Sequence, residues 1–170
     1  MYLKKAKRSA SYVYEAFIVL LKGTRSLLLK MAGIKRKGFV NYYNIGMDTR
    51  EAILFRDATT CTLTKRNREI KIEGIWTCRY SGQTIRHPKN IDVDHIVPVH
   101  YAKNNKIGIW TPATFQEFEN DTDNLIAVDK SLNRSKRAKS IAKWTPPKGK
   151  SWYRKRWKEI CKKWNLVYPK

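Results

Sequence analysis

The segment Ile91-Asp92-Val93-Asp94-His95-Ile96-Val97-Pro98 alternates apolar and polar side chains with the two-residue period of a half-buried β-strand. That period places Asp92 and Asp94 on one face. Pro98, which has no N–H to give to a strand ladder, ends it. A second apolar run, Leu125 to Val128, is entered through Asp123-Asn124 and left through Asp129 or Ser131, either of which suits the N-cap of a following helix. The helix is predicted over Leu132 to Lys143, with Asn133, Lys136, Arg137 and Ser140 at i, i+3, i+4 and i+7 on one face. The insertion between the strands carries its own helix signal, Thr111 as N-cap and Pro112 at the first helical position, running to Phe118.

Upstream, Asp48 and Glu51 stand in capping-box spacing, so Asp48 to Arg56 reads as a short helix. Thr59 to Ile75 holds two runs of β-type residues around a polar turn from Lys65 to Arg68, a predicted hairpin. Residues 1–38 form a basic, helix-prone arm, with Phe17, Leu20, Leu21, Leu27, Leu28 and Met31 at spacings a buried face would use. Downstream, Tyr153, Trp157, Ile160 and Trp164 make a stripe at helical spacing on a helix over about residues 151–164. This stripe is expected to pack on the core rather than stack on bases, leaving Arg154, Lys155, Lys158 and Lys162 opposite it as either a solvated face or a track for a nucleic-acid partner. The chain's net positive charge favours the track. The expected architecture is α+β: the arm at 1–38 and one domain at 39–170, with its core motif over about 90–143.

The chain has 170 residues, and its 36 Lys and Arg against 14 Asp and Glu give a formal charge of +22 at pH 7. With 42% hydrophobic and 12% aromatic residues it is too apolar for a wholly disordered basic tail. Such a charge points to a polyanion, nucleic acid before an anionic membrane surface. It is spread along the chain rather than gathered beside an anchor, so no membrane partner is expected. Cys61, Cys78 and Cys161 form no CxxC pair and are odd in number, which favours a reducing, cytoplasmic setting and no structural zinc. Lys4, Lys5, Lys7 and Arg8 before the run Tyr12 to Leu21 resemble a signal peptide, but Glu15 interrupts the run and no A-x-A pattern follows. An amphipathic helix is the favoured reading there.

Strand, strand and helix bring together residues suited to phosphodiester chemistry. Asp94 and Asn133 offer oxygen ligands of the kind Mg²⁺ or Mn²⁺ takes. His95, at the strand's end, can aim at the water that attacks phosphorus, and neutral imidazole is the natural base near pH 7. Lys136 and Arg137 are placed to hold the phosphate backbone. His100 is expected to be peripheral and His87 a loop residue.

The run from Asp92 to Pro98, then Asp123-Asn124, then Asn133-Arg134-Ser135-Lys136, resembles the HNH, or ββα-metal (His-Me finger), endonucleases, in the variant whose third motif residue is Asn. The first two segments are similar to the HNH domain of RNA-guided CRISPR nucleases. Small stand-alone HNH nucleases, some of them secreted, are nearer still: Trp76, Tyr80 and Gly82 precede the strand as they do there, and Trp144, Pro146 and Pro147 follow the helix. The likeness covers about residues 48–168. It implies a ββα-metal core with flanking helices and one metal ion, Mg²⁺ or Mn²⁺, held by Asp94 and Asn133. His95 is then the base, and Asn124 the residue that ties the loop and orients it. Asp92 stands behind the ligands, and Arg134, Lys136 and Arg137 lie beside the phosphate. Asn133 replaces the His of the usual motif, which favours Mg²⁺ over Zn²⁺.

The implied activity is hydrolysis of double-stranded DNA to 5′-phosphate and 3′-hydroxyl ends, one strand nicked per site, with double-strand breaks needing a homodimer or two independent hits. Restriction, homing, phage nicking or host-DNA degradation, and packaging support all fit it. The rivals are a non-catalytic nucleic-acid-binding protein on the same scaffold and a secreted non-specific nuclease.

Overall fold

The computed structural model describes residues 34–36, 39–40, 47–66 and 69–169. The arm's apolar stripe and its leader-like pattern therefore lie outside the described residues. Strands β1 (Ile34–Arg36) and β2 (Phe39–Val40) pair antiparallel, with Ile34 opposite Val40. The chain is thus extended where the helix-prone arm was expected to end.

Helix α1 (Thr49–Asp57) starts as its sequence dictates. Glu51 N–H donates to Asp48 Oδ1 at 2.7 Å and Asp48 N–H to Glu51 Oε2 at 2.8 Å, closing both halves of the capping box. The helix buries Ala52, Ile53, Leu54 and Phe55. Strands β3 (Ala58–Arg66) and β4 (Glu69–Thr77) form the expected antiparallel hairpin, with Cys61 opposite Gly74. Only glycine fits at 74, since a Cβ there would stand 2.3 Å from the Thr60 carbonyl. A short β5 (Thr84–Ile85) continues this sheet beside β4.

A second sheet holds the motif residues. Strand β6 (Ile91–His95) pairs antiparallel with β7 (Leu125–Asp129), setting Asp92 opposite Val128, Asp94 opposite Ile126 and His95 opposite Leu125. Between them run α2 (Val99–Asn105) and α3 (Pro112–Glu119). Thr111 caps α3, accepting from Thr114 N–H at 3.2 Å, as read from the sequence. Helix α2 was not foreseen, because it has no side-chain cap; burial of Tyr101 and Ala102 supports it, with Tyr101 edge-on to Trp157 at 5.0 Å.

Helix α4 (Lys130–Lys136) packs on both β6 and β7. Asp129 is its cap, accepting from the N–H groups of Ser131 at 2.8 Å and Leu132 at 3.2 Å. It ends at Lys136, seven residues short of the expected end at Lys143. Arg137 takes a positive φ of 51° after its N–H closes on the Asn133 carbonyl. The chain turns away there and returns Ile141 to the core, so Ser140 does not share the helical face of Asn133.

Helix α5 (Lys150–Lys163) bears out the aromatic stripe: Tyr153, Trp157 and Ile160 are buried, and Trp164 packs partly buried beside them. Its N-cap, Gly149, has φ +66°, and a Cβ there would lie 2.7 Å from the Arg79 carbonyl. That close approach seats α5 against the stretch that carries Tyr80. Tyr80 packs edge-on to Trp144 and to Tyr153, each at 5.5 Å. Cys78 and Cys161 are buried and Cys61 partly so. Among the described residues no helix is long and apolar enough to cross a membrane.

Candidate active site

Strand alternation sends Asp92 and Asp94 toward α4 and His95, with Val93, toward the opposite side. On the α4 face Asp94 is 5% exposed and both its oxygens are engaged. Lys136 Nζ donates to Oδ1 at 2.7 Å, and the Tyr80 hydroxyl donates to Oδ2 at 2.7 Å. Lys136 is itself 0% exposed, and its ammonium also donates to the His95 carbonyl at 2.6 Å. Burial pulls this amine below the ordinary lysine value while the Asp94 carboxylate opposes the shift. One turn earlier on α4, Asn133 Nδ2 donates to Asp92 Oδ2 at 3.3 Å, which keeps the Asn133 oxygen for another partner.

On the other side, the half-buried His95 ring has Nε2 2.9 Å from the Glu119 carbonyl and lies near-parallel to Phe118, 15° between planes. A carbonyl can only accept, so Nε2 carries the hydrogen and the lone pair sits on Nδ1. Burial lowers the pKa of this ring below the ordinary histidine value, with the Glu119 carbonyl and Asp94 pulling the other way. The shift favours the neutral imidazole at pH 7. It borders a cavity of about 280 Å³ that Arg50, Val93, Asn120 and Leu125 also line.

Asn124 joins the two sides. It is fully buried, its Oδ1 accepts from Val97 N–H at 2.8 Å, and its Nδ2 donates to the Val97 carbonyl at 3.0 Å. Its own carbonyl accepts from Ile96 N–H at 2.8 Å. The residue thus clamps the backbone just past His95 and acts through position rather than contact with a substrate.

The sequence expected Lys136 to meet a phosphate, and its burial corrects that: in this conformation no solute reaches the ammonium. Arg134 and Arg137, its neighbours on and after α4, are exposed. His100 is exposed on α2 and His87 caps a short turn without a side-chain bond, so neither joins the site. Among the described residues no three of His, Cys, Asp and Glu gather into a metal cluster. The donors near α4 are instead all oxygen: Asp92, Asp94, the Asn133 amide and the His95 carbonyl. Such a set suits a hard cation that keeps several waters, and it already holds one cation, the Lys136 ammonium.

Residues 48–166 match the family described as GmrSD restriction endonucleases, C-terminal domain. The chain belongs to this family. The match starts at the Asp48 cap of α1 and ends just past α5, so it contains every site residue above. Membership places the chain among the nucleases, as the motif likeness implied. A relative from Arthroderma benhamiae, described as an uncharacterized secreted protein, is 30% identical over 146 residues, covering 79% of this chain and 68% of the relative. No solved structure matches.

Two partners were missed in the sequence. Tyr80 was visible as part of a motif but had no role until its hydroxyl was placed on Asp94. The acceptor for His95 is a backbone carbonyl at the end of α3, for which no residue type is diagnostic.

Proposed function

We propose that the chain is a divalent-metal-dependent endonuclease that hydrolyses phosphodiester bonds in double-stranded DNA, with β6, β7 and α4 as a ββα-metal core of the Asn-containing HNH type. The observation that carries this reading is the His95 ring: neutral, fixed through Nε2, and presenting Nδ1 at the end of the strand that holds Asp94. A base for water activation needs that state and that fixed orientation.

In hydrolysis a water oxygen bonds to phosphorus as the bond to the 3′ oxygen breaks, and that oxygen takes a proton from solvent water, leaving a 5′-phosphate and a 3′-hydroxyl. The scissile phosphate would lie at the end of β6, where the face toward α4 meets the face toward α3. His95 Nδ1 then takes the proton of the attacking water from one side while Asp94 and Asn133 serve the other. Asn124 keeps the backbone past His95 in place while this happens. One Mg²⁺ or Mn²⁺ held by Asp94 and Asn133, with Asp92 steadying the Asn133 amide, would polarise the phosphate and stabilise the departing oxygen. Exposed Arg134 and Arg137 reach the phosphates beside the site, and the exposed Arg154, Lys155, Lys158 and Lys162 on α5 extend the contact. One such centre cuts one strand, so the product of a monomer is a nick.

The test is incubation of supercoiled plasmid with the purified chain and Mg²⁺ or Mn²⁺, with and without chelator. Open-circular DNA accumulating ahead of linear DNA, and only without chelator, is expected. Salt-sensitive binding with no metal-dependent cleavage would favour the non-catalytic reading instead. The setting has a second reading: the relative described as secreted favours the extracellular alternative over a cytoplasmic one. N-terminal sequencing of natively produced protein decides it, because a secreted chain should lose roughly its first 25 residues.

A further inference from the structure

Lys136 is the feature that the reading above leaves unexplained. It is the last residue of α4, and Arg134 and Arg137 nearby both point into solvent. A lysine at a helix end reaches water easily on its long stem. This one is instead fully buried, with its ammonium on Asp94 Oδ1 at 2.7 Å and on the His95 carbonyl at 2.6 Å. Burying an ammonium is unfavourable unless a partner repays the lost hydration, and Asp94 is that partner. The need is mutual. Without Lys136, Asp94 would be a carboxylate in the protein interior with only the Tyr80 hydroxyl for company.

Asp94 Oδ1 and the His95 carbonyl together form a two-oxygen seat for a cation. Asn133, three residues before Lys136 on the same helix, and Asp92 lie on the same side of β6. A divalent ion bound through Asp94 would compete with the ammonium for the same oxygen, since two cations at bonding distance from one oxygen repel strongly.

We propose that Lys136 is a tethered counter-ion of the metal site, which holds Asp94 neutralised in the resting chain and is displaced when a divalent ion binds there. This rests on the reading of Asp94 and Asn133 as the metal ligands. Two consequences follow from the exchange. Metal affinity is reduced by the competition with an ion that can never diffuse away. Once displaced, Lys136 emerges beside Arg134 and Arg137, so loading the ion adds a third cation to the surface those residues present. Lys136 is in this account a positioning residue, acting through Asp94.

The experiment uses the whole wild-type chain. Lysines are reductively methylated without divalent ion and with saturating Mn²⁺, and the extent at each position is read by peptide mass spectrometry, with calorimetry of Mn²⁺ binding alongside. Lys139 and Lys143, both exposed, serve as internal references. Lys136 should be modified at least tenfold more slowly than the references without the ion and should lose most of that protection with Mn²⁺. Protection that persists while calorimetry records Mn²⁺ binding overturns the exchange but leaves the metal site standing. No Mn²⁺ binding at all overturns both.

A variant gives the second arm. Lys136→Met removes the competitor, so Mn²⁺ should bind at least tenfold more tightly than to wild type and should raise the thermal midpoint by more. Equal or weaker binding contradicts the proposal. Should this variant not fold without the ion, the wild-type labelling decides alone.

Discussion

The two faces of β6 hold their reactive groups by opposite means. Toward α4, Asp94 keeps its charge in a sealed interior because the chain supplies a buried ammonium and a phenol to balance it. Toward α3, His95 is kept without charge: its ring is partly withdrawn from water, one nitrogen is tied to a carbonyl, and a cavity lies alongside. The difference fits the roles proposed for the two groups. An anion proposed to bind a cation would be stored with a substitute cation. A base proposed to accept a proton would be stored with none.

The acid face should break hardest. Lys136→Ala leaves Asp94 as an uncompensated buried carboxylate, and loss of one partner of such a pair destabilises by about 3–5 kcal/mol. Urea denaturation without divalent ions measures it, and pairing the change with Asp94→Asn should restore most of the loss. A loss below about 1 kcal/mol would mean that Asp94 is hydrated rather than sealed.

A smaller effect is expected at the cap that positions α4. Asp129→Ala should reduce stability by about 1 kcal/mol at neutral pH. The Ser131 hydroxyl above all holds the Asp129 carboxyl below its ordinary pKa; burial opposes it, and the Leu132 and Ser131 N–H groups add to the lowering. The charged cap therefore stabilises the fold fully above the unfolded value near pH 4 and is lost as pH falls through the lower folded value. Denaturation of wild type and variant at pH 7 and below pH 3 should show the gap narrowing at the acid end. A gap independent of pH would assign the cap's contribution to shape alone.

Local pattern made much of this legible in the sequence. The two-residue alternation placed β6, the capping box placed α1, and the helical stripe placed Tyr153, Trp157 and Ile160 in the core, because each signal lies within a few residues of chain. What escaped was non-local. Whether Lys136 faces solvent or Asp94 depends on a partner 42 residues away, and periodicity alone reads a lysine beside two arginines as part of a solvated face. The end of α4 escaped for a related reason, since Arg137 adopts its positive φ in the turn that carries Ile141 back to the core. Helix α2 lacks a cap and has only tertiary packing to reveal it.

The central claim is that His95 is the base of a metal-dependent nuclease. Plasmid nicking in Mg²⁺ or Mn²⁺ by wild type and His95→Ala, at equal folded concentration by circular dichroism, tests it most directly. The variant should be slower by about 10²–10⁴-fold, the usual contribution of a general base, with its fold unchanged. A variant that nicks at the wild-type rate would contradict the account.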